Sequence, residues 1–299
     1  MSMLPVRLLL ASVAIGCAAG ITWSVFGSVS LLSGAAVSGM SVPEDGAVTT
    51  GRYINKYFDL SYDLPQGLTV GLAGPEPSET GYYALTALVP ADEQLGGTIL
   101  IAAQDMFFAP KLHSGVAAEA GDFRDAMARL DGMTIDHEPS ETNIAGYLMQ
   151  RIDFSGVGLY RSTFVTEIRC HFVSFNLTAR SPELLASLAM SLSGLSSAAG
   201  PDAAPSVPLC VKDYAVAENI LLRVEPAAVG PKFRPIPVRI VIDSEGSVKH
   251  VHVIHASDEQ RSSIEQALRQ WKLKPPRVDG KAVEIETGLI FRFASEKNS

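Results

Sequence analysis

Three histidines close together in the sequence are the first residues that suggest chemistry. His250 and His252 would share one face of a strand, from which both imidazoles could reach a single metal ion. His255 would point to the opposite face of that strand, and no carboxylate or thiol stands at a fixed spacing to complete a ligand set. We therefore interpret the three as strand histidines and predict no metal and no other cofactor.

Two cysteines offer either catalysis or a cross-link. Cys170 beside His171 has the residue types of a thiol nucleophile and its base, but adjacent strand residues point to opposite faces and cannot readily meet. Cys170 and Cys210 could instead form a disulfide in an oxidising compartment. The alternative is two buried free cysteines, because the sequence alone cannot place their Cα atoms within bonding distance.

A carboxylate pair near the end of the chain has the residue types of a general acid and base. Glu284 and Glu286 alternate with apolar residues, however, in a pattern typical of a strand with one buried and one solvated face. The sequence after residue 37 contains no glycine-rich phosphate loop, HExxH motif or nucleophile elbow. We predict no catalytic residues and no enzyme, with an uncharacterised envelope hydrolase as the less favoured alternative.

The overall composition is that of an acidic globular protein. The chain has 299 residues, 47% of them hydrophobic, and a formal net charge of −8. It shows no basic stripe with interleaved aromatic residues, which argues against nucleic acid as a partner. The length accommodates two modules with their own cores.

The N-terminal segment is the candidate for membrane attachment. Residues 8–43 contain no charged side chain, and residues 8–32 are long enough to cross a bilayer. We assign residues 1–37 to a cleaved signal peptide or to a retained inner-membrane anchor. In either case Arg7 keeps the N-terminus cytoplasmic and directs the remainder to the periplasm. Lipidation at Cys17 is a third alternative.

Two stretches of small and polar residues divide the rest of the chain. Residues 38–51 are interpreted as a tether and residues 196–208 as an interdomain linker. The predicted modules are therefore residues 52–195 and residues 209–299, and we expect an α+β fold for both.

The middle module has the pattern of an antiparallel sheet with two helices. Apolar residues recur at helical spacing from Phe123 to Leu130 and predict one helix. A second helix is predicted to begin at the N-cap Ser181, with Pro182 in its first position. The strand-like segments are residues 57–62, 83–89, 98–102, 145–154 and a long alternation over 159–178. Residues 53–62 with Leu64 and Pro65 resemble the opening strand of PsbP-like domains. That resemblance implies a noncatalytic binding or assembly module.

The pattern of the last module predicts two strands, a helix and a third strand, in that order. Residues 237–242 and 247–254 flank a turn at 243–246, and Ser257 fits the N-cap of a helix that carries Trp271 as its core anchor. Residues 283–293 form the alternating last strand. Three motifs in this order, at residues 242–248, 267–275 and 279–283, resemble the C-terminal domain of TonB-type energy transducers.

The TonB resemblance implies a periplasmic or envelope protein that takes part in transmembrane transport at the outer membrane or in envelope linkage. It implies strand addition, in which the last strand offers backbone N–H and C=O groups to an extended peptide of an outer-membrane or periplasmic protein. The alternative is a scaffold without energy transduction, whose strand edge is covered by the middle module or by a second copy in a homodimer. The residues expected to pair with a partner strand are Val283, Glu284, Ile285, Glu286, Thr287, Gly288 and Leu289.

Overall fold

The computed structural model of the protein describes residues 41–71, 74–92, 96–109, 115–198, 207–229 and 234–293. The predicted signal peptide or anchor and Cys17 lie outside these ranges. Among the helices of the described ranges, none has the length and apolar character needed to span a membrane.

The described part begins with a small antiparallel sheet, which corrects one predicted strand. Its first strands are β1 (Ala47–Thr49), β2 (Arg52–Asn55) and β3 (Leu60–Asp63). The strand predicted at residues 57–62 is wrong in its first half, because a turn connects β2 to β3. The side-chain oxygen of Asn55 accepts the N–H of Phe58 at 3.1 Å, and Asp59 has a φ of +49°. Tyr57 and Phe58 therefore enter the core from a turn.

A seven-stranded antiparallel sheet dominates the middle region. Its strands are β4 (Leu68–Val70), β5 (Tyr82–Pro90), β6 (Gly97–Asp105), β7 (Met133–Ile144), β8 (Tyr147–Gly156), β9 (Leu159–Ile168) and β10 (His171–Ala179). They lie in the order β4-β5-β6-β10-β9-β8-β7. The alternation over 159–178 is two strands, because Arg169 and Cys170 both have positive φ, at 50° and 60°, and form a hairpin turn.

Both predicted helices of the middle region are confirmed. The helix α1 (Val116–Ala128) packs Ala120 and Met127 against Ile152 and Phe154. The helix α2 (Pro182–Ser191) begins as expected, since the Ser181 hydroxyl accepts the N–H of Leu184 at 3.3 Å. After it, β11 (Leu195–Ser196) returns to pair with β3.

The C-terminal region contains the predicted hairpin, helix and last strand. Its elements are β12 (Leu209–Cys210), β13 (Ile220–Leu222), β14 (Ile236–Ile242), β15 (Val248–Val253), α3 (Asp258–Leu268), β16 (Lys272–Leu273), β17 (Arg277–Val278), β18 (Lys281–Ala282) and β19 (Ile285–Phe291). One sheet has the order β12-β19-β14-β15. Ser257 and Gln260 form a capping box at the start of α3, which packs on one face of this sheet through Ile264 and Leu268.

The middle and C-terminal regions each have a hydrophobic core, Ile254 of the C-terminal region packs into the core of the middle region, and the two regions form one compact unit. One disulfide joins them, between Cys170 in the turn after β9 and Cys210 in β12, with their Cα atoms 5.6 Å apart. Of the alternatives that the sequence left open for these two cysteines, the structure has the disulfide. Cys170 is therefore a cross-linked turn residue, and no thiol remains for a dyad with His171.

The turn between β14 and β15 supplies a test of the C-terminal fold. Gly246 has a φ of +81°, and a Cβ there would overlap the carbonyl oxygen of Leu273. Gly280 has a similar φ of +78°, with nothing within 4 Å of the same position. We expect Gly280→Ala to lower the free energy of unfolding by about 1 kcal/mol, the cost of left-handed backbone. Gly246→Ala adds steric overlap and should cost about 3 kcal/mol or more.

Urea denaturation of the two variants beside the unsubstituted protein measures this difference. Equal losses for Gly246→Ala and Gly280→Ala would contradict the close approach of β16 to the hairpin turn.

Candidate functional site

The inner edge of β19 is fully occupied by its neighbour in the sheet. All seven residues pair with β14, from Ile285 opposite Ile242 to Phe291 opposite Ile236, without a bulge. Successive residues of a strand direct their backbone groups to alternate edges. The N–H and C=O groups of Thr287 and Leu289 therefore face β14, whereas those of Gly288 and Ile290 face the outer edge.

In the part of the chain that the structure describes, the outer edge of β19 is occupied only at its beginning. The N–H of Leu209 donates to the carbonyl of Glu284, and the N–H of Val211 donates to the carbonyl of Glu286, both at 3.0 Å. β12 thus pairs in parallel with Ile285 and Glu286 and goes no further. Within the described ranges, no backbone hydrogen bond reaches Gly288 or Ile290 from that side.

This arrangement corrects the predicted pairing set. The outward backbone groups of Glu284 and Glu286 already bond to β12, and Ile285, Thr287 and Leu289 use theirs on β14. Val283 precedes the strand, and its N–H donates to the carbonyl of Pro276 at 3.0 Å. Of the seven expected residues, only Gly288 retains outward backbone groups on the open part of the edge. Ile290, 48% exposed, extends the open edge beyond the predicted set.

A groove of about 520 Å³ runs beside the open edge. The segment that follows β12 forms its far wall and is held in place by Tyr214, whose N–H donates to the Thr287 hydroxyl at 3.2 Å and whose hydroxyl donates to the carbonyl of Lys274 at 2.8 Å. Aromatic side chains and charged side chains of both signs share the lining, among them Trp271, Phe291, Phe293, Asp213, Arg223 and Arg292. The groove therefore offers apolar and polar contacts next to unpaired backbone.

Trp271 is buried in the core as the sequence predicted, but it lies after the end of α3 at Leu268, and it also borders the groove. Its side chain is 2% exposed, and its indole N–H donates to the carbonyl of Val224 at 2.8 Å. The guanidinium of Arg223 lies 5.4 Å from the ring centroid, on the groove side. The hydrogen bond between Trp271 and Val224 therefore ties the core to the segment that carries Arg223 in the groove wall.

The face of the C-terminal sheet opposite α3 is covered by the middle region. Gly288 marks the closest approach, since a Cβ there would lie 2.6 Å from the Cβ of Phe107 and 2.9 Å from the ring of Phe108. The prediction that Glu284 and Glu286 share a solvated face is therefore wrong for Glu286, which is 2% exposed. Glu284 lies at the margin and pairs with Lys249 at 2.7 Å.

Arg239 lies at the centre of this interface and is fully buried. One terminal nitrogen of its guanidinium bonds to Asp105 at the end of β6 at 2.5 Å, and the other lies 3.0 Å from Glu286 on β19. The aromatic ring of Phe107 lies 4.8 Å from the guanidinium carbon. A single charged side chain of β14 thus bridges carboxylates from the two regions.

A second arginine and two more polar groups complete the cluster. Arg169 lies over the ring of Tyr57 at 4.1 Å and donates to the carbonyl of Tyr57 at 3.0 Å. The hydroxyl of Tyr57 donates to Glu286 at 3.2 Å. His171 is buried against the rings of Tyr57 and Phe58, with Nε2 3.4 Å from Arg239.

Burial is the main cause of the pKa shifts in this cluster. It raises the pKa of the Asp105 carboxyl, and Arg239 only partly offsets the rise. It raises the pKa of the Tyr57 hydroxyl and lowers the pKa of His171 well below its usual value, the latter with a contribution from Arg239. His171 is therefore neutral at neutral pH.

The three candidate histidines do not converge. His252 lies 3.2 Å from Glu44 and stacks near Tyr83, whereas burial lowers the pKa of the half-buried His250. Among the residues that the structure describes, no group of histidine, cysteine and carboxylate side chains could hold a metal ion. The sequence reasoning overlooked Arg239, although a lone arginine in the apolar run 236–242 is itself a signal of a buried ion pair.

The ion pairs of Arg239 give a pH-dependent prediction. Arg239→Met leaves Asp105 buried without its counterion, which should lower the free energy of unfolding by about 3 to 5 kcal/mol at pH 8. A carboxyl whose folded pKa is raised binds its proton more readily in the folded state, so stability is recovered as the pH falls towards that pKa. The loss should therefore shrink at pH 5, and removal of the positive charge beside His171 acts in the same direction.

Urea denaturation of Arg239→Met and the unsubstituted protein at pH 8 and pH 5 measures both quantities. Arg52→Met is the matched control, because Arg52 pairs with Asp63 on the surface and should contribute less than about 1 kcal/mol. A loss for Arg239→Met that is small or independent of pH would show that the buried pair does not join the two regions.

Comparison with known proteins gives a family match that includes β19 but not the segment after β12 that forms the far wall of the groove. The family described as Gram-negative bacterial TonB protein C-terminal matches residues 235–294. A search of curated proteins found no match. Among solved structures, cyanobacterial PsbP (CyanoP) from Synechocystis sp. PCC 6803 is similar at 12% identity, covering 56% of this chain and 98% of that chain, with a TM-score of 0.35.

A second solved structure, the protein of unknown function PA94 from Pseudomonas aeruginosa, is similar at 16% identity. It covers 49% of this chain and 92% of that chain, with a TM-score of 0.26. The family match begins at residue 235, later than the predicted domain start at residue 209. The resemblance predicted from the hairpin, helix and turn motifs is confirmed, and residues 235–294 are the TonB-type part of this chain.

Proposed function

We propose that this is a noncatalytic envelope protein that binds an extended peptide segment of an outer-membrane or periplasmic protein by strand addition. The peptide pairs with the outer edge of β19 at Gly288 and Ile290 and lies in the adjoining groove. The single observation that carries the proposal is this open edge, which lies within the region matched by the TonB family and borders a groove. Main-chain hydrogen bonds would supply affinity, and the groove lining would supply selectivity.

The disulfide supports a location outside the cytoplasm. Disulfides form and persist in oxidising compartments and are rare in cytoplasmic proteins. Together with the uncharged N-terminal segment, the bond between Cys170 and Cys210 fits export to the periplasm. The assignment of residues 1–37 to a signal peptide or an inner-membrane anchor is part of this proposal.

A scaffold function is the second candidate, and the buried interface favours it. The middle region covers one face of the C-terminal sheet through Phe107, Asp105 and Tyr57. A module that is fixed so firmly to its neighbour could link envelope components without transmitting force. The two candidates differ in whether an outer-membrane protein occupies the edge of β19.

Ile290→Pro tests the edge directly. Proline removes the outward N–H of residue 290 and leaves the hydrogen bonds between β19 and β14 intact, because those use the neighbouring residues. Ile290→Ala is the matched control, since it shortens the same side chain but keeps the N–H. Decapeptides selected from a random display library on the full-length protein serve as probes. We expect at least about tenfold weaker binding to Ile290→Pro than to Ile290→Ala, because the hydrogen bond from the residue 290 N–H is lost and the proline ring obstructs strand pairing there.

Binding by calorimetry, with amide exchange at Ile290 followed in the peptide complex, checks this expectation. Equal affinity of both variants, or no protection of the Ile290 amide by a bound peptide, would contradict strand addition. A pull-down from outer-membrane extracts then separates the two candidate functions. Retention of an outer-membrane protein by the Ile290→Ala variant, with no retention by Ile290→Pro, supports transport, whereas equal retention by both favours the scaffold.

A further inference from the structure

The first part of the outer edge of β19 is covered by the chain itself. β12 is only two residues long, and both of its residues, Leu209 and Cys210, are exposed. Among the described strands it pairs only with β19, at Ile285 and Glu286. This is the same edge of β19 that a partner strand would use at Gly288. The segment therefore occupies part of the proposed binding edge as an internal substitute for a partner strand.

What holds β12 there is mainly its link to the middle region. The backbone hydrogen bonds between β12 and β19, the burial of Pro208 and the packing of Val211 against the C-terminal core contribute. A strand of two residues with an exposed outer side gains little from its ladder. The disulfide to Cys170 is the covalent restraint on the segment.

The two sulfurs of this disulfide lie in different environments. Cys170 is 1% exposed, and its carbonyl accepts the N–H of Met106 at 3.1 Å, so it belongs to a fixed turn. The neighbouring Arg169 is fixed by Tyr57 and Glu286. Cys210, in contrast, is exposed on the edge. Cys210 is therefore the cysteine that a reductant reaches first, and it belongs to β12, the segment that can move.

We propose that the disulfide between Cys170 and Cys210 is a redox clasp that keeps β12 on the edge of β19. Reduction releases β12 together with the backbone of Val211 and extends the open edge from Gly288 back to Glu284. The length of edge that a partner strand can use is thereby set by the redox state. The consequence for peptide binding rests on the function proposed above, whereas the release of β12 does not.

The reaction is a two-electron thiol–disulfide exchange with a dithiol protein of the thioredoxin class. A thiolate of the reductant attacks the Cys210 sulfur, the bond to Cys170 breaks, and the Cys170 thiolate takes up a proton. The second thiol of the reductant then attacks the mixed disulfide, which frees the Cys210 thiol. The protein gains two electrons and two protons, and the reductant is oxidised to its own disulfide. Dithiothreitol is the reductant used in the test.

Amide hydrogen exchange on the full-length chain reads out the release of β12. The N–H of Glu286 faces β12, whereas that of Thr287, one residue later, faces β14 and is the internal control. We expect dithiothreitol to accelerate exchange at Glu286 by at least about tenfold and to leave Thr287 unchanged. The double variant Cys170→Ala/Cys210→Ala should exchange fast at Glu286 with and without dithiothreitol.

Two exchange results would overturn the clasp. Unchanged protection of Glu286 after reduction would show that β12 stays on the edge without the disulfide. Parallel acceleration at Glu286, Thr287 and the residues of β14 would show that the bond holds the whole fold instead. The Thr287 signal identifies this second case in the double variant as well, so a variant that fails to fold is recognised.

Peptide binding tests the regulatory consequence separately. For the selected decapeptides, we expect affinity to rise by at least about tenfold on reduction, as two or more further backbone hydrogen bonds become available. Equal affinity in both states, together with fast exchange of the Glu286 amide after reduction, would overturn the regulatory role of the clasp. Absence of edge-directed binding in both states would overturn the proposed function instead, and exchange at Glu286 alone would then decide whether β12 is released.

Discussion

The buried contact of Arg239 with Asp105 and Glu286 is the constraint on which the arrangement of this protein depends. Charges removed from water are tolerated only when they are paired, and the pair here draws its members from two regions. Once Arg239 of β14 meets Asp105 of β6, the C-terminal sheet has only one orientation against the middle region. Phe107 then fits against Gly288, where a larger residue would not.

That orientation decides which parts of the C-terminal sheet remain accessible. One face packs on α3, the other on the middle region, and β14 occupies the inner edge of β19. The outer edge of β19 is therefore the part of the sheet that a partner could recognise, and two features limit unspecific pairing with it. β12 covers its first part, and a groove with charged residues at its margin borders the rest. Unprotected strand edges invite unspecific pairing, and this edge is short and partly covered.

Local sequence signals determined much of the C-terminal fold. The turn at residues 243–246 needs a glycine with positive φ, and Ser257 with Gln260 fixes the start of α3. These are interactions within a few residues, so their outcome can be predicted without knowledge of the rest of the chain. The same holds for Ser181 and α2. The sequence was less informative at residues 57–59, where an alternating pattern hides a turn that the side chain of Asn55 stabilises.

Contacts between distant segments decided the site itself. The burial of Glu286, the coverage of its strand by β12 and the disulfide of Cys170 with Cys210 each join residues far apart in the sequence. An alternating strand predicts two faces, but it does not show that a second region will cover the outer one. The sequence by itself determined a hairpin, a helix and a last strand of the TonB type. Only the tertiary structure decided that Gly288 and Ile290 form the open edge, because that depends on which partners fill the other positions.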